Sequence, residues 1–103
     1  MNTNPNLIKK IENGSQVGQR VSFLMDGEIC WTSVGLQKWN GKYKVYIDEI
    51  LESKMNSEEY QREEVINFDL LDNALEFIEN NTHVKVFDLI PCKGQRIFNP
   101  DFD

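Results

Sequence analysis

Apolar and polar residues alternate along the first two-thirds of the chain, and the spacing then becomes helical. In "RVSFLM", Val21, Phe23 and Met25 fall on one side. "EICWTSVGLQKW" carries Ile29 and Trp31 on one side and Cys30, Val34 and Leu36 on the other. A strand apolar on both sides reads as central in its sheet. Gly35 marks the place where it would bend. "KYKVYIDEIL" sends Tyr43, Val45 and Ile47 inward and Lys42, Lys44, Tyr46 and Asp48 outward. This period of two is the strand signature. Asp26-Gly27 and Asn40-Gly41 separate the three runs. Both pairs tolerate positive φ at two successive positions, as a tight hairpin requires. After a polar loop, "ESKMNSEE", a fourth strand is expected in "YQREEVINF", with Ile66 and Phe68 on the buried side.

In "NFDLLDNALEFIENNT" the period changes. Leu71, Ala74, Leu75 and Ile78 recur at i, i+3, i+4 and i+7, the stripe of a helix laid on a sheet. Asp69 is the expected N-cap and Phe68 the hydrophobic staple before it. A second, short helix is expected near the start. There Asn4 caps, Pro5 fits the first helical position, Leu7, Ile8 and Ile11 share a face, and Gly14 closes the turn. "HVKVFDLI" reads as a short strand or extended segment stopped by Pro91. "PCKGQRIFNPDFD" reads as a turn-rich tail anchored by Phe98 and Phe102.

Strands that run together and are followed by a helix give an α+β fold. The expected form is a three- to four-stranded antiparallel β-meander with one main α-helix packed on a face and a short N-terminal helix. One domain spans 1–103: the N-terminal helix at 1–16, the meander at 19–68, the main helix at 69–82, and a strand and tail at 83–103. A chain of 103 residues builds one core rather than two. Its 40% hydrophobic and 11% aromatic content is that of a folded chain rather than a disordered one.

Charge changes the picture more than composition does. The net charge of −6 argues against direct nucleic-acid binding, which needs a basic footprint. Residues 1–44 hold six Lys/Arg against three Asp/Glu, whereas residues 45–103 hold five against fourteen. Such asymmetry between halves hints at a partner surface, unless the halves interleave in the fold and the field averages out. Two cysteines, Cys30 and Cys92, with no CxxC between them, do not make a disulfide framework. "MNTNPNLIKKIENG" lacks the apolar run of a signal peptide, and no window reaches the length of a membrane helix. The expectation is a cytoplasmic protein with free thiols and no membrane attachment.

Candidate chemistry is sparse. With one histidine, His83, and no Cys/His cluster, a zinc site is poorly supported, and the acidic stretch lacks the ligand spacing of a calcium loop. Asp26 with Glu52-Ser53-Lys54 has the order of a metal-dependent nuclease set, but Asp-Gly is already explained by a turn. Cys92, beside Lys93, is the better candidate for an exposed thiol of lowered pKa that could pair with His83. Cys30 reads as a small core residue. "KGQR", Lys93 to Arg96, could cradle an anion but lacks a Gly-rich pattern. No catalytic, cofactor-binding or metal-ligating residue is therefore assigned.

Two features remain as partner-binding candidates. One is an aromatic hairpin, Trp31, Trp39, Tyr43 and Tyr46 among Lys38, Lys42 and Lys44, with Trp39 and Tyr46 as its exposed members. The plainer account of these residues is core packing with Lys at an edge. The other is the acidic run "DEILESKMNSEEYQREEV", with seven carboxylates and two cations, in which Glu58, Glu59, Glu63 and Glu64 are the candidates. With Glu76 and Glu79 they supply the charge count of a nucleic-acid mimic. The leading expectation is a non-catalytic protein-binding module of inhibitor, immunity or adaptor type, with a basic protein partner steered by charge. The alternatives are a ligand-binding domain or enzyme with a pocket between helix and sheet, and a homo-oligomeric subunit, such as a homodimer paired through a sheet edge.

Overall fold

The computed structural model describes residues 4–101. Elements follow the chain as α1 (Pro5–Glu12), β1 (Val17–Met25), β2 (Glu28–Trp39), β3 (Lys42–Leu51), β4 (Tyr60–Phe68), α2 (Leu71–Asn81) and β5 (Ile90–Pro91). The strands form one antiparallel sheet in the order β4-β3-β2-β1-β5. The α+β class and the meander hold, with five strands rather than three or four. The additional strand is the two-residue β5, paired to the start of β1 through Val17 and Pro91. Pro91 is tolerated because it lies on an edge, where its missing N–H removes no ladder bond.

Local chemistry explains the elements. Both hairpins are two-residue turns with positive φ at Asp26, Gly27, Asn40 and Gly41. In α1, the Asn4 side chain accepts a hydrogen bond from the Asn6 N–H at 2.8 Å, and Gly14 closes the helix at φ 89°. The start of α2 departs from expectation: its cap is Leu70, with no side-chain cap bond. Asp69 stands one residue before the cap, and its carboxylate pairs instead with Lys42 at the start of the neighbouring β3. The expected polar loop after β3 is a 3-10 turn over Glu52–Ser57. "HVKVFDLI" forms a second 3-10 turn at Val86–Asp88, and only Ile90 of it enters the sheet.

Both helices cover one face of the sheet, α1 against β1 and β2, α2 against β3 and β4. Ile11, Val34, Leu36, Val45, Ile47, Leu75 and Ile78 are buried there, with Val84, Val86 and Leu89 from the segment after α2. Each such side chain contributes roughly 1.5–3 kcal/mol on burial. Of the alternating residues expected inward, Val34, Leu36, Tyr43, Val45 and Ile47 are in this core and Val21 and Phe68 pack against it, whereas Phe23, Met25 and Ile66 are only half-buried.

The opposite face is covered in part by the tail after β5. The Gln16 side chain holds it down: Oε1 accepts from the N–H of Ile97 (2.7 Å) and Phe98 (3.3 Å), and Nε2 donates to the Phe98 carbonyl (2.9 Å) and to Gln37 Oε1 (2.9 Å). Phe98 is buried, as anticipated for an anchor; Phe102 lies outside the described residues. The tail explains the glycines beneath it. A Cβ on Gly35 would sit 2.7 Å from the Phe98 ring, and one on Gly18 would sit 2.3 Å from Ile97. Gly35 therefore marks a close approach rather than a bend, and β2 pairs through it without a register shift. Lys44, expected outward and solvated, is buried on this same face.

Candidate functional site

Strand register arranges the tail-bearing face into rows that cross the sheet. One row, Val65, Tyr46, Gly35 and Gly18, lies at the level of the tail. The next is charged: Glu63, Asp48, Ser33 and Arg20, one from each of β4, β3, β2 and β1. Beyond it come Tyr60, Ile50, Trp31 and Ser22, and then Ile29 opposite Leu24. A bulge at Glu49/Ile50 sets Tyr60 rather than Gln61 opposite Ile50, which brings its ring into this row. Leu24 (74%), Ile29 (39%) and Tyr60 (42%) are among the most exposed large apolar residues of the molecule, and all three stand here. The uncovered end of the sheet is thus an apolar patch bordered by a charged row.

The charged row is tightly connected. The Tyr46 hydroxyl lies 3.0 Å from Asp48 Oδ2 and 2.9 Å from Glu63 Oε2. One hydroxyl hydrogen is shared between the two carboxylates, and Asp48 also accepts from Ser33. Burial pushes the Asp48 carboxyl above its usual range, opposed by hydrogen bonds from Tyr46 and Ser33 and by the Arg20 charge. Burial, followed by the two carboxylates, pushes the Tyr46 phenol far up, so it stays a hydrogen-bond donor. The Tyr46 ring stacks on Phe98, with centroids 5.4 Å apart and planes 7° from parallel. The Arg20 guanidinium lies 5.4 Å above the Trp31 ring, and Trp31 Nε1 donates to Glu52 at 3.3 Å.

Among the described residues, two cavities open on this face. One, of about 390 Å³, lies between β4 and the tail, walled by Tyr46, Val65, Ile97 and Phe98 with Glu63 beside them. The other, of about 370 Å³, is lined by Arg20, Ser33, Asp48, Tyr60, Gln95 and Arg96. Gln95 and Arg96 of "KGQR" thus reach a cavity, but one they share with the Asp48 carboxylate, which opposes anion binding. The interface between helices and sheet, where a ligand pocket was the alternative expectation, is occupied by core side chains.

The sequence candidates are scattered. Tyr46 and Glu63 are brought into contact. Glu64 lies in the row of Ile47, on the helix-bearing face, and binds Arg62 at 3.0 Å. Glu58 takes a left-handed conformation after the 3-10 turn, and Glu59 is held by Ser57 and Lys54. Trp39 stands at the Asn40-Gly41 hairpin, the other end of β3, about 30 Å from Glu58 and Glu59 for a ten-residue strand. The basic hairpin dissolves as a unit. Lys38 pairs with Glu12, Lys42 with Asp69, and the Tyr43 hydroxyl donates to Glu12 from the helix-bearing face. The mimic set is divided too, since Glu76 and Glu79 are carried by α2.

The reading of Cys92 is corrected. The Cys92 thiol is half-buried and pushed up by burial rather than lowered. Cys30 is buried opposite Phe23 on the other face, as expected of a small core residue. The His83 ring stacks on Phe23, with centroids 3.6 Å apart. Among the described residues no group of three His, Cys, Asp or Glu side chains is placed to hold a metal, and no helix is long and apolar enough to cross a membrane. Arg20, Leu24, Ile29 and Tyr60 were missed as site residues. Leu24 and Ile29 face each other across the Asp26-Gly27 turn, a signal available from that hairpin alone. Compared with known proteins, the chain matches no family model, no curated protein and no solved structure.

Proposed function

We propose that this chain is a non-catalytic protein-binding module of the cytoplasm that docks through the uncovered end of its tail-bearing sheet face. The observation that carries this reading is the adjacency of exposed Leu24, Ile29 and Tyr60 to the cross-strand row Glu63–Asp48–Ser33–Arg20. An apolar patch rimmed by charge is the usual anatomy of a protein interface. The rim contains two carboxylates to one guanidinium, on a chain of net charge −6, so a partner with basic groups around an apolar centre fits it. The charge would steer association, and the apolar and aromatic groups would hold the complex.

The test places a photo-crosslinking phenylalanine analogue at Leu24, and separately at Phe87, which is also exposed but belongs to the segment after α2. In cells of the source organism, a discrete adduct with a basic protein is expected from position 24 and not from position 87. An adduct with twice the mass of the chain would replace this reading with self-association. Labelling from position 87 alone would overturn the choice of face.

A further inference from the structure

We propose that the 390 Å³ cavity between β4 and the tail receives the guanidinium or ammonium end of one Arg or Lys side chain of the partner. The proposal rests on the docking reading and names the group recognised. Three observations point to such a group. The first is shape and wall chemistry. The Tyr46–Phe98 stack, Val65 and Ile97 offer apolar surface for a methylene stem, and aromatic faces attract a cation. The second is the shared hydroxyl. Glu63 lines the cavity and shares the one Tyr46 hydroxyl hydrogen with Asp48, and a cationic side chain brings several N–H donors to such a carboxylate.

The third is the state of the neighbouring cations. Lys54 is held by Glu59 and Arg62 by Glu64, and Arg20 is stacked on Trp31. Glu63 is bonded to Tyr46, and among the described residues no Lys or Arg is paired with it. The other cavity of the face, with two arginines, is the wrong chemistry for a cation. A partner cation is thereby directed to the β4 side of the site.

The experiment titrates isotopically labelled protein with N-acetyl-arginine methylamide, using N-acetyl-norleucine methylamide as control, and follows backbone amides by NMR. The arginine probe should give saturable shifts at Tyr46, Glu63, Val65 and Asn99, and the norleucine probe should not. Glu63→Gln should weaken the arginine probe about fivefold, the upper range for an exposed charge pair. Glu58→Gln makes the same charge change outside the cavity and should leave binding unaltered. Equal shifts with both probes, or equal weakening in both variants, would overturn the proposal. Leu24→Ser should not affect this titration, so a failed cavity is distinguishable from a failed docking face.

Discussion

Asp48 shows how a single residue carries both a structural cost and a functional signal. Burial raises its carboxyl pKa in the folded state, so the folded protein holds that proton more tightly than the unfolded chain does. The contribution of Asp48 to stability therefore falls as pH rises from 3.8, its ordinary value, through the folded value, and stays reduced above it. Asp48→Asn removes the titration but keeps an oxygen that can accept from Tyr46 and Ser33. The variant should melt at a higher temperature than the parent at neutral pH, and the difference should close on acidification. Melting curves across that range would check it; a difference independent of pH would rule out titration of Asp48 as its cause. A position kept at a cost to stability is what a binding site often requires. The alternation in "KYKVYIDEIL" placed Asp48 on the outward phase, but not its burial, which depends on a face shared by four strands.

At the level of elements, the tail behaves as part of the core. Gln16 bonds Ile97 and Phe98 from more than eighty residues away, and the sheet carries glycine where those side chains descend. Gly35→Ala adds a methyl group against the Phe98 ring, and overpacking of this kind costs about 1–3 kcal/mol. The unfolding free energy should fall by that amount, lowering the urea midpoint at unchanged slope, with loss of the near-ultraviolet signal of the Tyr46–Phe98 stack. A wild-type midpoint would mean that the tail does not rest on the sheet as described. The strands, the two hairpins and α1 were legible because their determinants are local: a period of two, positive φ at Asp26, Asn40 and their glycines, a cap at Asn4. The α2 cap was misread by one residue: Asp69 pairs instead with Lys42, twenty-seven residues earlier. The two 3-10 turns were not legible because nothing periodic announces them.

For the whole molecule, the sheet must be covered on both faces, and the chain has two helices and one short tail to do it. The helices, with the segment after α2, cover most of one face. The tail covers only part of the other, and Tyr60, Trp31, Leu24 and Ile29 are left exposed or half-exposed around buried Ile50. This distribution decides which candidates matter together. Trp39 is at the far end of the sheet, so Trp39→Ala should leave partner affinity within about 0.5 kcal/mol. Tyr60→Ala removes an exposed ring from the docking patch and should cost about 2 kcal/mol, in the range of an interface hot spot. Titration calorimetry with the partner identified by crosslinking checks both, and the reverse order would shift the interface to the hairpin end.

The amino-acid order was enough to define strand phase, turn positions, the helix-facing core and the acidic balance. Each follows from spacing along the chain, where side-chain direction repeats with a known period. Only the folded chain decided which face stays open and which carboxylates meet. Those outcomes depend on register across four strands, on a bulge that turns Tyr60 to the other side, and on a tail returning to Gln16 from the opposite end of the sequence. None of these leaves a periodic mark. The acidic run that looked continuous in the sequence is therefore divided between two faces and a turn, with Glu63 beside Tyr46 and Glu64 bound to Arg62 behind it.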